Sequence, residues 1–184
     1  MVDVSIPQVY RAKRKAKDVL NGVDMAQYNR IWSYAATARV RNLGSANKMT
    51  LNKPFEESIC TFQRLYYYLF ACNQGFLDGC RTIIGFDGCF LKSPFGGQLL
   101  TAMGKDGNNN MFPIAFAVVE VKCYESRKWF LEFLIGDIGT HNGSIPYTCI
   151  SDRQKGLVHA LNTPFLESEH RFCIRHLYQN FSQK

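Results

Sequence analysis

Two aspartates follow apolar segments of the type that forms buried strands. Asp87 comes directly after residues 82–86, and Asp152 comes directly after residues 147–151. If the two strands are parallel neighbours, their carboxyl ends lie about 5 Å apart across the sheet, at the edge where such sheets usually bind ligands. Mg²⁺ is typically held by one or two carboxylates plus substrate phosphate. Such ions could activate water and stabilise the leaving oxygen of a phosphodiester.

Both aspartates also have ordinary structural explanations. Asp87-Gly88 is a common turn dipeptide. Asp152 is suited to cap a helix predicted to follow it. Because turns and caps are so frequent, the spacing alone favours them over a metal site.

Cys173 and His176 stand three residues apart on one face of a predicted final helix, as a metal-binding pair can. A zinc site needs about four ligands, and no second pair at suitable spacing is visible; His170 is the nearest spare candidate. A structural role, with His176 hydrogen-bonded and Cys173 packed, is the favoured interpretation. The seven cysteines form no Cys-x-x-Cys pair and their number is odd. This pattern argues against a disulfide framework and for a reducing compartment.

The segments that carry these residues predict a mixed α/β fold. Apolar runs bounded by turn residues mark strands, and apolar spacings of three and four mark helices. A turn cluster at 105–110 predicts that the second and third strands form a hairpin. The predicted order is strands at 82–86, 97–103 and 111–121, a helix at 126–138, a strand at 147–151, a helix at 154–161, a strand at 170–173 and a final helix. A meander followed by β-α units resembles the ribonuclease H-like fold, a mixed sheet flanked by helices.

The first 46 residues predict a basic helical segment, in two helices that meet near Gly22. Residues 1–50 hold nine basic and three acidic side chains, whereas the whole chain holds 22 and 15, for a net charge of +7. This uneven charge favours contact with a polyanion at that end. A solvated helix face explains it equally well.

Residues 47–80 are expected to form a connecting α/β segment, and 81–184 the core. The aromatic cluster at 66–68 is either a stacking surface for nucleic acid or, as we favour, part of the interior. No run approaches about 18 apolar residues, so no membrane span is expected. The N-terminus lacks the layout of a signal peptide, which makes secretion unexpected.

Several ordered blocks resemble the transposase domain of plant Mutator-like transposable elements. The first is Gly-Phe-Asp-Gly-Cys-Phe-Leu-Lys at 85–92. Further blocks lie at 10–16, 96–102, 111–115, 117–120, 128–132, 150–156 and 170–178. Ordered blocks at consistent spacing are more specific than one short motif, and together they extend over nearly the whole chain.

This resemblance implies a ribonuclease H-like core with a DDE acidic triad and Mg²⁺ or Mn²⁺. Such enzymes cleave DNA at element ends and transfer the 3′ hydroxyl to target DNA in the nucleus. Asp87 matches the first acid and Asp152 the second, which raises the metal-site interpretation above the turn and the cap. DNA is the implied partner, self-association is possible, and no small-molecule cofactor is implied. The basic side chains near the matching blocks, which could meet phosphates by charge, are Lys92, Arg153, Lys155, Arg171 and Arg175.

The third acid of the family is a glutamate on a helix beyond the fifth strand, and we expect it to lie outside these 184 residues. Glu167 and Glu169 precede that strand and are poor substitutes, and Glu120 matches a family position that is not the third acid. The expectation is therefore a transposase fragment with little or no activity by itself. The alternatives are a domesticated, non-catalytic nuclear DNA-binding or transcription-regulating relative, and a degenerate gene remnant.

Overall fold

A computed structural model describes residues 5–93, 95–139, 147–152, 155–161, 165 and 168–182, with backbone alone at 21, 23–25 and 155. The chain divides into two compact units, residues 1–37 and 38–184. The elements, in chain order, are α1 (Ile6–Arg41), β1 (Ala46–Asn52), β2 (Thr61–Tyr68), α2 (Phe70–Gly79), β3 (Cys80–Phe90), β4 (Gln98–Asp106), β5 (Met111–Val119), α3 (Tyr124–Ile138), β6 (Thr148–Ser151), α4 (Lys155–Leu161), β7 (Glu169–Phe172) and α5 (Ile174–Ser182).

One seven-stranded sheet organises residues 38–184, in the order β1-β2-β5-β4-β3-β6-β7. The pairs β3–β6 and β6–β7 are parallel, and the other neighbours are antiparallel. The meander β3-β4-β5 is therefore continued on one side by two parallel strands that each follow a helix. This topology confirms the predicted hairpin, the mixed sheet and the ribonuclease H-like architecture.

The core lies between this sheet and the helices packed on it. Along β4 every second side chain from Gln98 to Gly104 is buried, which is the period of a strand with one covered face. The buried stripe of α3 includes Phe130, Leu131, Leu134 and Ile138, at helical spacings of three and four. Helix α2 approaches the sheet at Gly104, where a Cβ atom would come within 2.6 Å of the Phe76 ring. Only glycine permits that approach.

The aromatic cluster at 66–68 belongs to the interior. Tyr66 and Tyr68 are 0% and 2% exposed. The Tyr66 ring stacks on Phe133 of α3 at a centroid distance of 5.5 Å. Tyr67 points to the other face of β2 and stacks on Phe116 at 5.0 Å. The buried pair of rings is therefore unavailable for stacking on nucleic acid.

Helix α1 is continuous over 36 residues, so the prediction of two helices is wrong. Gly22 lies inside the helix and does not end it. An interior glycine costs only about 1 kcal/mol relative to alanine, and the segment is rich in alanine, lysine and arginine, which favour the helix. The basic side chains near its start are exposed, namely Arg11, Lys13, Arg14, Lys15 and Lys17.

Candidate functional site

The register of the central parallel pair brings the two predicted acids to one level of the sheet. Phe86 of β3 pairs with Ser151 of β6, and this is the last pair of that ladder. Asp87 directly follows Phe86, and Asp152 directly follows Ser151. Because paired strands lie about 4.8 Å apart, the two backbones are neighbours at the point where these aspartates occur.

Asp87 lies inside β3, which continues to Phe90, and it pairs with Thr101 of β4. The expectation that the strand ends before Asp87 is wrong, and so is the turn explanation for Asp87-Gly88. The ladder with β4 keeps the backbone extended beyond the last residue that β6 can pair. The Asp87 side chain is exposed, and the Gly88 N–H donates a hydrogen bond to its Oδ1 at 2.6 Å.

Asp152 has a different environment, since it is only 7% exposed. The Ser151 hydroxyl donates to the Asp152 carbonyl oxygen at 2.9 Å and bonds to His170 Nε2 at 2.7 Å. The Cys173 N–H donates to the Ser151 carbonyl at 2.8 Å. These bonds fix the backbone that carries Asp152. A helix cap by Asp152 would involve residues 153–154, which are outside the described residues.

Both aspartates line one small cleft at the carboxyl end of β3, called here the strand-end cleft. It is formed by Phe86, Asp87, Gly88, Leu100, Thr101, Lys122, Arg127, Phe130, Leu131, Asp152 and Leu157. Two of these residues, Lys122 and Arg127, are positively charged and were not predicted from the sequence. The cleft therefore combines two acids with two bases.

Lys122 occupies space that is open because Gly88 has no side chain. A Cβ atom at Gly88 would come within 2.8 Å of Lys122 Cε and 2.9 Å of the Leu99 carbonyl oxygen. The Lys122 ammonium donates to the Gly88 carbonyl and lies 6.0 Å from the centroid of the Phe90 ring. A glycine inside a strand often marks a close approach of this kind, and that signal was present in the sequence.

Arg127 is a buried cation on α3, with only 4% of its surface exposed. It stands three and four residues before Phe130 and Leu131, so it belongs to the buried stripe of the helix. A charge at such a position rarely occurs without a partner. Burial lowers the pKa of the Arg127 guanidinium, and the negative charge of Asp152 opposes that lowering. The interruption of an apolar stripe was the sequence signal for this residue.

Cys173 and His176 are not part of a larger set of metal ligands among the described residues. Cys173 precedes α5, and within the described residues no group of three or more histidine, cysteine, aspartate or glutamate side chains could hold a metal ion. His176 Nδ1 is buried and finds no hydrogen-bond partner in that part of the chain. Among the described residues, therefore, no partner accounts for the hydrogen bond expected of His176 at this atom. Zinc binding by this pair stays a prediction.

The basic residues predicted to contact DNA are only partly described. Lys92 is exposed after β3, and Arg175 is exposed on α5. Arg171 is exposed and forms an ion pair with Glu169. Arg153 and the side chain of Lys155 lie outside the described residues.

The other described acids near the matching blocks do not line the cleft. Glu120 accepts two hydrogen bonds from Arg64 Nε, at 2.8 and 3.1 Å, and this contact lowers the Glu120 pKa. Glu169 pairs with Arg171, and Glu167 is outside the described residues. Among the described acids, Asp87 and Asp152 are the ones that line the strand-end cleft.

The seven-stranded mixed sheet, with two acids directly after the last residue pair of its central parallel ladder, defines a ribonuclease H-like class of fold. Within that class, the family model of the MULE transposase domain matches residues 83–180, which is more than half of the chain. The chain belongs to the MULE transposase domain family. No curated protein and no solved structure matches it. In the described part of the chain, no helix is long and apolar enough to cross a bilayer.

Proposed function

We propose that this chain is the part of a Mutator-like DDE transposase that carries its first two acids, Asp87 and Asp152. The observation that supports this best is their position one residue beyond the Phe86–Ser151 pair of the parallel ladder. In the intact protein the reaction is cleavage of a DNA phosphodiester and transfer of the freed 3′ hydroxyl to target DNA. The division into segments 1–46, 47–80 and 81–184 is part of the same proposal.

The donor set of the strand-end cleft fits one hard divalent cation. Asp87 presents an exposed carboxylate, Asp152 a buried one, and both line the cleft. Mg²⁺ or Mn²⁺ is commonly held by such a pair when substrate phosphate supplies further oxygens. When bound, the ion supplies Lewis-acid stabilisation of charge on the phosphate oxygens.

Hydrogen bonds of the sheet and of the Ser151 hydroxyl position these acids. The hydrogen bonds from Ser151 and Cys173 fix the backbone on either side of Asp152, and the ladder with β4 fixes Asp87. Residues held by a sheet are positioned more precisely than residues on a loop.

We propose further that these 184 residues alone have little or no strand-transfer activity. Two acids neutralise a pair of metal ions poorly, and Glu120 and Glu169 are each paired with an arginine. No third carboxylate from the described residues lines the cleft.

DNA is the proposed partner, in the nucleus. Lys92 and Arg175 are exposed beside the matching blocks, and Arg171 keeps its charge at the surface despite Glu169. Arg153 and Lys155 belong to the same proposed set by sequence. The five exposed basic residues at 11–17 add a positive helix whose charge would attract phosphates without reading bases.

A second candidate function is a non-catalytic DNA-binding relative. The observation that favours it is the presence of Lys122 and Arg127 in the same cleft as the acids. Fixed positive charges there serve binding of phosphate better than binding of a metal ion.

One experiment tests the proposed inactivity and the proposed role of Asp87. Strand nicking and joining are measured on plasmid DNA with Mg²⁺ or Mn²⁺ for the wild-type chain, Asp87→Asn and the matched control Asp78→Asn. Asp78 is an exposed acid on α2, just before the opposite end of β3. We expect salt-dependent DNA binding and no cleavage above background. Cleavage that Asp87→Asn abolishes and Asp78→Asn preserves would contradict the proposed inactivity and establish Asp87 as catalytic.

A further inference from the structure

Among the described residues that line the strand-end cleft, the charges balance without any added ion. Asp87 and Asp152 bring two negative charges, and Lys122 and Arg127 bring two positive ones. Lys122 is half-buried and Arg127 is 4% exposed. The two positive side chains are therefore held inside the cleft and do not extend into solvent.

Arg127 is fixed in place by its packing. It extends from the buried stripe of α3 toward the first turn of α4, where a Cβ atom on Gly156 would lie 3.5 Å from its Nη1. Phe130, Leu131 and Leu157 line the same cleft. A guanidinium among such neighbours requires a negative partner, because a buried unpaired charge is strongly unfavourable.

Asp152 supplies that negative charge. It is 7% exposed, and it is the acid of the cleft whose charge acts on Arg127. Where the two charges lie out of water their interaction is screened little by salt. A divalent cation brought to Asp152 would meet the repulsion of a guanidinium that cannot move into solvent.

We propose that Arg127, assisted by Lys122, is a built-in counter-charge for the acids of the strand-end cleft and makes this chain bind divalent cations weakly. The proposal rests on the proposed function, since it takes Asp87 and Asp152 as the cation ligands. It implies that removing a positive charge from the cleft creates affinity for a metal ion.

The test is a titration of the full 184-residue chain with Mn²⁺ alone. Binding is measured by calorimetry and by the electron paramagnetic resonance signal of free Mn²⁺. The variants are Arg127→Gln, Arg127→Met and Lys122→Met. The matched control is Lys128→Met, which removes a more exposed charge one residue further along α3, paired with Glu132. Circular dichroism and thermal melts establish that each variant is folded.

We expect the Arg127 variants to bind one Mn²⁺ at least about tenfold more tightly than the wild type, because the opposing charge is close and partly desolvated. Lys122→Met should give a smaller gain, and Lys128→Met none. Adding Asp152→Asn to an Arg127 variant should abolish the gain.

Equal or weaker Mn²⁺ binding by folded Arg127 variants overturns the inference. If the wild type then binds Mn²⁺ tightly through Asp87 and Asp152, the proposed metal site is supported although the inference about Arg127 is wrong. If no variant binds Mn²⁺, both proposals fail. Should both Arg127 variants fail to fold, Lys122→Met decides: tighter binding supports the inference, and unchanged or weaker binding overturns it.

Discussion

Arg64 Nε donates hydrogen bonds to both carboxylate oxygens of Glu120, at 2.8 Å to Oε2 and 3.1 Å to Oε1. The contact joins β2 to the residue that follows β5, and so ties the outer hairpin to the central meander. The same guanidinium lies 5.7 Å from the centroid of the Trp129 ring on α3. One side chain therefore links two strands and a helix.

The first prediction concerns this ion pair. The hydrogen bonds from Arg64 lower the Glu120 pKa, so the pair's contribution to stability is present above the ordinary glutamate pKa and is lost as the pH falls through the lowered value. We expect Glu120→Gln to reduce the free energy of unfolding at pH 7 by about 0.5–1 kcal/mol, since the pair is partly exposed. Urea unfolding at pH 7 and pH 3 should show a smaller pH dependence in the variant. Identical pH dependence in the two proteins would contradict this interpretation.

The second prediction concerns Gly88. A Cβ atom there would come within 2.9 Å of the Leu99 carbonyl oxygen, which is backbone and cannot yield without moving β4. Gly88→Ala should therefore cost about 2 kcal/mol or more of unfolding free energy. Gly136→Ala is the control, because that glycine lies in α3 with open space around it and alanine favours helix. Equal melting temperatures for the two variants would refute the proposed close approach.

The third prediction concerns the bond between Ser151 and His170. Burial lowers the His170 pKa, so the native state takes up a proton less readily than the unfolded chain. Stability is then full above the ordinary histidine pKa of about 6.5 and decreases as the pH falls through that value toward the lowered one.

Urea unfolding between pH 7.5 and 5.5 checks this expectation. His170→Gln keeps a donor at the place of Nε2 without titrating, and it should show less loss of stability on acidification than the wild type. Ser151→Ala should cost about 1 kcal/mol at pH 7.5, because it removes the hydrogen bond between a buried hydroxyl and His170. A wild type and a glutamine variant with parallel pH profiles would show that His170 does not titrate in this range.

The fourth prediction concerns phosphate contacts. Lys92→Ala and Arg175→Ala should each weaken binding to duplex DNA of any sequence, and each should reduce the slope of log affinity against log salt by about 0.9. Fluorescence anisotropy between 50 and 200 mM salt measures both quantities. Lys128→Ala serves as the control, since that lysine is paired with Glu132 on α3. Loss of affinity without a change in slope would argue against direct phosphate contact.

The sequence predicts the central sheet because its strands are short apolar runs separated by strong turn residues. The hairpin of β4 and β5 follows from the cluster at 105–110, and α3 follows from its apolar stripe. Sequence alone did not predict α2, whose helix is stabilised by contacts such as Phe76 against Gly104. It also ended β3 too early, because the pairing with β4 that extends this strand to Phe90 is not a local property.

The acids of the site were predictable, whereas their charged neighbours were not identified. Asp87 and Asp152 stand out because they follow apolar runs. Lys122 lies just before α3, and Arg127 lies in its first turn. Their distance from the acids therefore depends on how the helix packs on the sheet. Two local signs existed, a glycine inside a strand and an arginine on a buried stripe, and both acquire meaning only when the strand order is known.

The paired segment of β3 that continues past Asp87 has a consequence for redesign. Three further residues, Gly88 to Phe90, pair with β4, so the strand that carries Asp87 is held by its ladder as well as by the side chains of the cleft. The sign of the electric field at this edge of the sheet can then be changed by exchanging side chains at 122 and 127, neither of which belongs to the ladder between β3 and β4. A cation-binding and an anion-binding form of the same domain would differ by those substitutions alone.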